Sequence, residues 1–176
     1  MDVSIRAARP RDTVVLHALI GALAEYEKLA AQVVGTAHDL ERELFSERPV
    51  IEAVIAWDDE SALGFALYFH NYSTFLARRG LYLEDLFVVP EARGRGIGKA
   101  LIRHCARVAV ERRCGRFEWA VLDWNQPAIE FYQSIGATML SEWQLCRLSG
   151  DALQRFAALS MPGAIPSAMP GASSQT

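Results

Sequence analysis

Val88-Val89-Pro90-Glu91-Ala92-Arg93-Gly94-Arg95-Gly96-Ile97-Gly98-Lys99 is the stretch on which the fold turns. An apolar run halts at Pro90, which has no N–H to give a ladder and so ends a strand. Three glycines fall within five residues, and Ile97, Leu101, Cys105, Val108 and Ala109 then recur at helical spacing. Glycines let a backbone come close to a phosphate, and the first amides of a helix point outward with partial positive charge. Arg93, Arg95 and Lys99 add formal charge beside them. Two phosphate loops fail on spacing. The dinucleotide fingerprint needs a third glycine where Lys99 stands. The P-loop needs glycine where Arg93 stands and Ser or Thr where Ala100 stands.

Outward from this loop, periodicity assigns the other elements. Val3–Arg6 reads as a short strand, and Asp12 as the cap of a helix over residues 12–28, with Val15, Leu16, Leu19, Ile20, Leu23 and Tyr26 on one face. Thr36 with Asp39 three residues later forms a capping box for a helix ending near Leu44 or Phe45. Val50–Trp57 and Leu63–Tyr72 read as a hairpin around Asp58–Ser61, and Leu81–Val89 as a third, more apolar strand. After the helix from Gly96 to Arg113 comes a strand over Phe117–Leu122. Asn125 caps a helix with Pro127 in its first turn that stops at Gly136. Trp143–Leu148 reads as a last strand, and Asp151–Ala158 as a short helix. The order predicts a mixed α/β domain over residues 1–159, with helices divided between the two faces of one sheet. In residues 160–176, nine of seventeen are Pro, Gly or Ser, so a disordered tail is predicted there.

Composition narrows the function. With 51% hydrophobic and 22% charged residues the chain is globular, and its net charge of −3 argues against a nucleic-acid partner. Three cysteines without a Cys-x-x-Cys pair argue against a disulfide framework or a metal site, and favour a reducing compartment. No signal-like apolar segment and no apolar run of about 18 residues is present, so a cytoplasmic protein without membrane partner is expected.

Arg-x-x-Gly-x-Gly over Arg93–Gly98 resembles the coenzyme A pyrophosphate motif of GNAT acetyltransferases. Two further stretches, Tyr82–Val88 and Val121–Tyr132, resemble the diamine acetyltransferase branch, which holds the spermidine/spermine and thialysine N-acetyltransferases. Leu23–Leu29 with Gln32-Val33 is similar to the thialysine type. The resemblance covers roughly residues 3–158. It implies the GNAT acyl-CoA N-acyltransferase fold, one mixed, mostly antiparallel sheet with helices on both faces. It also implies acetyl-CoA as co-substrate, no metal, a homodimer, and a small-molecule amine as acceptor.

The chemistry explains the residues that the resemblance singles out. An alkyl amine has a pKa near 10.4, so only about one molecule in a thousand is neutral near pH 7.4. A base must take a proton before the lone pair can attack the thioester, and Glu84 resembles the family's base, acting through water. Tyr132 matches the proton donor to the departing CoA sulfur. A phenol near pKa 10 protonating a thiolate near 8.5 is uphill by roughly 2 kcal/mol, so a hydrogen bond to the sulfur is an equal description. The resemblance gives the backbone of Leu86, Phe87 and Val88, beside a strand bulge, to the pantetheine arm. It gives Arg93, Gly94, Arg95, Gly96, Ile97, Gly98 and Lys99 to the pyrophosphate, and Asn125, Pro127 and Ala128 to further cofactor contacts. Tyr26, Glu27, Glu84, Asp85, Glu142 and Trp143 are the implied substrate residues. His104 adjoins Cys105, but neighbouring helical residues point apart, so direct transfer in a ternary complex is expected rather than an acyl-cysteine.

The chain departs from the spermidine type at Ala30 and Ala31, where acidic residues usually precede Gln-Val, and the segment before Trp143 is about two residues short. A compact amine is therefore expected over a long polyamine. Two rival readings stand beside this one. A non-catalytic acyl-CoA-binding module would keep the loop and lose Glu84 or Tyr132. A peptide or protein acetyltransferase would need an open groove.

Overall fold

Helix α1 (Thr13–Tyr26) and the strand before it, β1 (Ser4–Ala7), are joined through Pro10, whose fixed φ starts a helical turn without needing a donor. The structure is a computed structural model that describes residues 3–159; the expectation for residues 160–176 lies outside the described residues. Asp12 sits at the N-cap of α1, yet its side chain makes no cap bond. Its buried carboxylate instead accepts from the Arg6 guanidinium at 2.9 Å and the Arg9 amide at 3.0 Å. A charge-assisted pair with arginine outcompetes a cap. Within α1, Leu16, Leu19 and Leu23 turn inward, while Val15, expected on that face, is exposed. The box that precedes α2 (Ala37–Phe45) forms as read: Thr36 Oγ1 accepts from the Asp39 amide at 3.2 Å, and Asp39 accepts from the Thr36 amide at 3.0 Å.

Strands β2 (Glu52–Asp58), β3 (Ser61–Ser73), β4 (Arg78–Val88) and β5 (Phe117–Trp119) complete a five-stranded sheet whose spatial order follows the chain, β1-β2-β3-β4-β5. The first four pair antiparallel. β5 lies parallel to β4, which requires a crossover, supplied by α3 (Ile97–Glu111). Strand alternation divides the core. Ala53, Ile55, Trp57, Phe65, Leu67 and Phe87 pack with Leu16, Leu19, Leu23 and Leu44 of α1 and α2. The residues between them, Val54, Ala56, Ala66 and Tyr68, belong to the other face. There α3 lies across β2, β3 and β4 and buries Ile97, Leu101, Ile102, Cys105, Val108 and Ala109. One mixed sheet with helices on both faces is thus the architecture of this part of the chain.

The described residues form two compact units that divide between Asn125 and Gln126. The second holds α4 (Gln126–Ser134), followed by Gly136 at φ +90, and α5 (Gly150–Ala157). Two strand expectations fail. β5 stops at Trp119 rather than Leu122, and Trp143–Leu148 forms no strand. Trp143, Leu145 and Leu148 are exposed, and no neighbour pairs with them among the described residues. A strand is defined by its partner, so favourable side chains without one make no ladder. No helix among the described residues is long and apolar enough to cross a membrane.

Candidate active site

The register of β4 changes in its middle. Leu67 of β3 faces Asp85 and Tyr68 faces Leu83, leaving Glu84 without a partner. Glu84 is therefore the extra residue of a β-bulge, and it is exposed. On the opposite edge, β5 pairs with β4 only over Leu81–Leu83. Beyond Leu83 no strand among the described residues continues that pairing, so one edge of Glu84–Val88 has unpaired ladder positions. The other edge is closed by β3, where Leu86, Phe87 and Val88 face Ala66, Phe65 and Gly64. Glycine is required at position 64, because a Cβ there would run into the Phe87 carbonyl.

Three carboxylates meet at this bulge. Asp85 is half-buried, and its pKa is pushed up to about 6, first by burial and then by the charges of Glu84 and Glu27. Glu27, at the C-terminal end of α1, is also raised by burial. Each ionised group makes the next harder to ionise, so the cluster is poised to receive a cation.

At the C-terminal end of β4 the chain turns through Pro90–Ala92 into the glycine loop. Gly94 and Gly96 lie at φ +75 and +78, a left-handed conformation that other residues adopt at a cost. A Cβ at either would meet nothing within 4 Å, and one at Gly98 would meet only Val88 Cγ2 at 3.8 Å. The loop's outer surface is open backbone. The Ala100 amide is bonded to the Gly96 carbonyl, and in a helix starting here the amides of Ile97, Gly98 and Lys99 have no acceptor one turn back. Amides without a helical acceptor, open glycines and exposed Lys99 fit a pyrophosphate.

The two loop arginines each have protein partners as well. Arg93 donates from Nε to the Val88 carbonyl at 3.1 Å, and its guanidinium stands 4.5 Å over the Tyr26 ring and 5.7 Å over Phe87. Arg95 bonds Asp58 at 3.1 Å. Tyr26 in turn donates to Asn125 Oδ1 at 3.3 Å and tilts against Trp124, with ring centroids 6.1 Å apart. Tyr26 thereby ties the glycine loop to the segment before α4. Sequence reasoning missed this tie, because Tyr26 and Arg93 are far apart in the chain and meet only in the fold.

Among the sequence-derived candidates, the structure brings together Tyr26, Glu27, Glu84, Asp85, Leu86, Phe87, Val88, the residues 93–99 and Asn125 within the first unit. In the second unit, Pro127 and Ala128 occupy the first turn of α4, and Tyr132 is a buried residue further along it. Glu142 and Trp143 lie in an exposed turn between α4 and α5. All three cysteines are free, and burial pushes the Cys105 thiol up to about 12, far from a nucleophilic thiolate.

The profile of the acetyltransferase (GNAT) family matches residues 20–137. The chain belongs to the GNAT acetyltransferase family. Thialysine N-epsilon-acetyltransferase of Sus scrofa is 37% identical to it over 89% of this chain and 98% of that one. L-ornithine N5-acetyltransferase NATA1 of Arabidopsis thaliana is 35% identical over 85% of this chain and 86% of that one. Among solved structures, an integron cassette protein from the mobile metagenome of V. cholerae superposes on this acetyltransferase with a TM-score of 0.76 at 30% identity. That match covers 90% of this chain and 99% of the other.

Proposed function

We propose that this acetyltransferase moves acetyl from acetyl-CoA to the primary amine of a compact small molecule, a thialysine- or ornithine-like amino acid or a short diamine. The observation that carries this reading is the carboxylate cluster of Glu84, Asp85 and Glu27 at the bulge where the pairing of β4 and β5 ends. Burial raises Asp85 and the charges of Glu84 and Glu27 add to that rise, and a substrate with two cationic groups offsets both. Relatives named for thialysine and ornithine support the same class.

Acetyl-CoA supplies a thioester whose acetyl carbon accepts the amine and whose thiolate departs. The loop amides of Ile97–Lys99 hold the pyrophosphate, joined by Arg95 and Lys99, while Arg93 braces the loop against Tyr26. The unpaired edge of Leu86–Val88 holds the pantetheine arm by ladder-like hydrogen bonds. Glu84 takes the ammonium proton through water. Asp85 and Glu27 hold the distal charge of the substrate, and Tyr132 gives a proton or hydrogen bond to the departing sulfur. Asn125, Pro127 and Ala128 line the cofactor, and Glu142 and Trp143 belong to the substrate end.

Measured kcat/KM should rank thialysine, ornithine or a short diamine above spermidine and spermine at fixed salt. Each further ammonium is costly to desolvate without a carboxylate to meet it, and positions 30 and 31 are alanines. A tenfold advantage for spermine would overturn the compact-amine reading. We also propose a cytoplasmic homodimer whose catalytic domain spans residues 1–159. The family match across the boundary of the two units supports one domain. Sedimentation should give a dimer at assay concentration, and deletion of residues 161–176 should leave kcat/KM unchanged.

A further inference from the structure

At the other end of β4 lies a second concave surface that the acetyl-transfer reading does not use. A cavity of about 510 Å³ is lined by His70 and Tyr72 of β3, Ala77 of the hairpin, Arg78 and Arg79 of β4, and Arg112 and Arg113 after α3. Four of its seven lining residues are arginines, in a chain whose net charge is −3. Nine residues of strand separate Arg79 from Val88, about 30 Å at the usual rise, so the cavity is remote from the glycine loop.

Its walls are fixed. Arg112 pairs bidentately with Glu52, one bond measuring 2.7 Å, and donates to His70 Nε2 at 3.0 Å. A guanidinium only donates, so His70 accepts at Nε2, carries its proton on Nδ1, and donates from there to the Gly80 carbonyl at 3.0 Å. The Gly115 amide bonds the Arg79 carbonyl at 2.8 Å, stitching the chain after α3 to β4. Gly115 permits that approach, since a Cβ there would press on Leu76 at 3.0 Å and on Arg78 at 3.4 Å.

Against this fixed frame three charges are left over. Arg78, Arg79 and Arg113 are exposed, and none has a carboxylate within 4 Å among the described residues. Arginines at a helix C-terminus answer its dipole, which accounts for Arg112 and Arg113. It does not account for Arg78 and Arg79 on a strand. Backbone conformation gives a second indication. Four described non-glycine residues have positive φ, and two of them, Ala77 at +48 and Arg113 at +56, line this cavity. At position 113, just past a helix end, glycine is the ordinary choice, so an arginine is held in a costly conformation where its charge adds to the cluster.

We propose that this cavity binds a compact phosphorylated small molecule carrying two or more phosphate groups. Guanidiniums grip phosphate oxygens in pairs, and several close together favour a ligand whose charges are equally dense. A cavity this size exceeds the needs of one inorganic phosphate and falls in the range of small-molecule sites.

Inorganic pyrophosphate is the probe, titrated by calorimetry at low salt into the full chain already saturated with acetyl-CoA, so that the glycine loop is filled. One site per chain is expected. Its Kd should weaken at least tenfold in the Arg78→Ser/Arg79→Ser double variant, while the affinity for acetyl-CoA stays as in the wild type. Arg113→Gly guards against a folding artefact, because glycine suits the left-handed backbone. It should melt no lower than the wild type yet bind pyrophosphate at least threefold more weakly. The proposal is overturned if pyrophosphate binds no tighter than sulfate, or if these variants bind it as the wild type does. It is equally overturned if a short RNA binds more tightly than pyrophosphate, which would make the patch a polymer surface.

Discussion

The two ends of β4 differ in sign, order and purpose. Its first residues, Arg78 and Arg79, sit in a basic cavity pinned by the Arg112–Glu52–His70 contacts and by Gly115. Its later half carries Glu84 and Asp85, loses pairing on the β5 side and runs into open glycines. The basic end pairs with β3 and is tied on its other side by the Gly115 amide on the Arg79 carbonyl; the acidic end gives up pairing on the β5 side and leaves backbone groups available. A strand serves chemistry where its own pairing is incomplete.

The largest expected effect bears on the open end. Gly96→Asp adds a side chain and a negative charge at a position held at φ +78, where phosphate is to lie. It should weaken acetyl-CoA binding by about a hundredfold or more, roughly 2.7 kcal/mol, as read by calorimetry. Wild-type affinity in a folded variant would remove the contrast between the two ends. Next, Glu84→Gln should lower kcat/KM by about a hundredfold near neutral pH, within the usual span of base catalysis. Part of the loss should return at high pH as free amine accumulates. A mutant-to-wild-type ratio flat across pH would leave the bulge without a base.

Tyr132→Phe is smaller. It should cut kcat by about tenfold with acetyl-CoA affinity unchanged, provided chemistry limits turnover. The smallest effect concerns stability. Asp85 is raised from 3.8 to about 6 in the fold. Between those values the folded state binds more protons than the unfolded chain, so this group's stabilisation is full below about pH 4 and lost as pH rises through 6. Asp85→Asn should remove that loss and raise Tm by about 3 °C at pH 7.5 relative to wild type. A variant that melts lower at pH 7.5 would mean that Asp85 is paired rather than strained.

Local rules were legible in the sequence. The Thr36–Asp39 box, the buried stripe of α3 and the glycine turn each depend on residues a few positions apart. What escaped depends on distant partners. Asp12 abandons its cap because Arg6 of β1 reaches it, and Trp143–Leu148 lacks the neighbour a strand needs. The site divides in the same way. The glycine loop was read from residue spacing, and Glu84 was singled out by the family resemblance. The perturbation of Asp85 by Glu27, some sixty residues earlier in the chain, and the Arg93–Tyr26 stack exist only once α1 has packed beside β4. Charge and the family resemblance gave Arg93 to phosphate; the fold gives it an aromatic face as well.

The sequential order of the sheet has a consequence for how the protein is made. Because β2, β3 and β4 follow one another directly in the chain and in space, each of these strands leaving the ribosome meets a partner already laid down. Such nearest-neighbour growth avoids the closure of long loops that slows β-rich chains. β4 is the exception on one side: its outer edge must wait until α3 has emerged and β5 follows. During that interval Arg78 and Arg79 stand at the start of an unprotected strand edge. Positive charge on such an edge discourages two nascent chains from joining there.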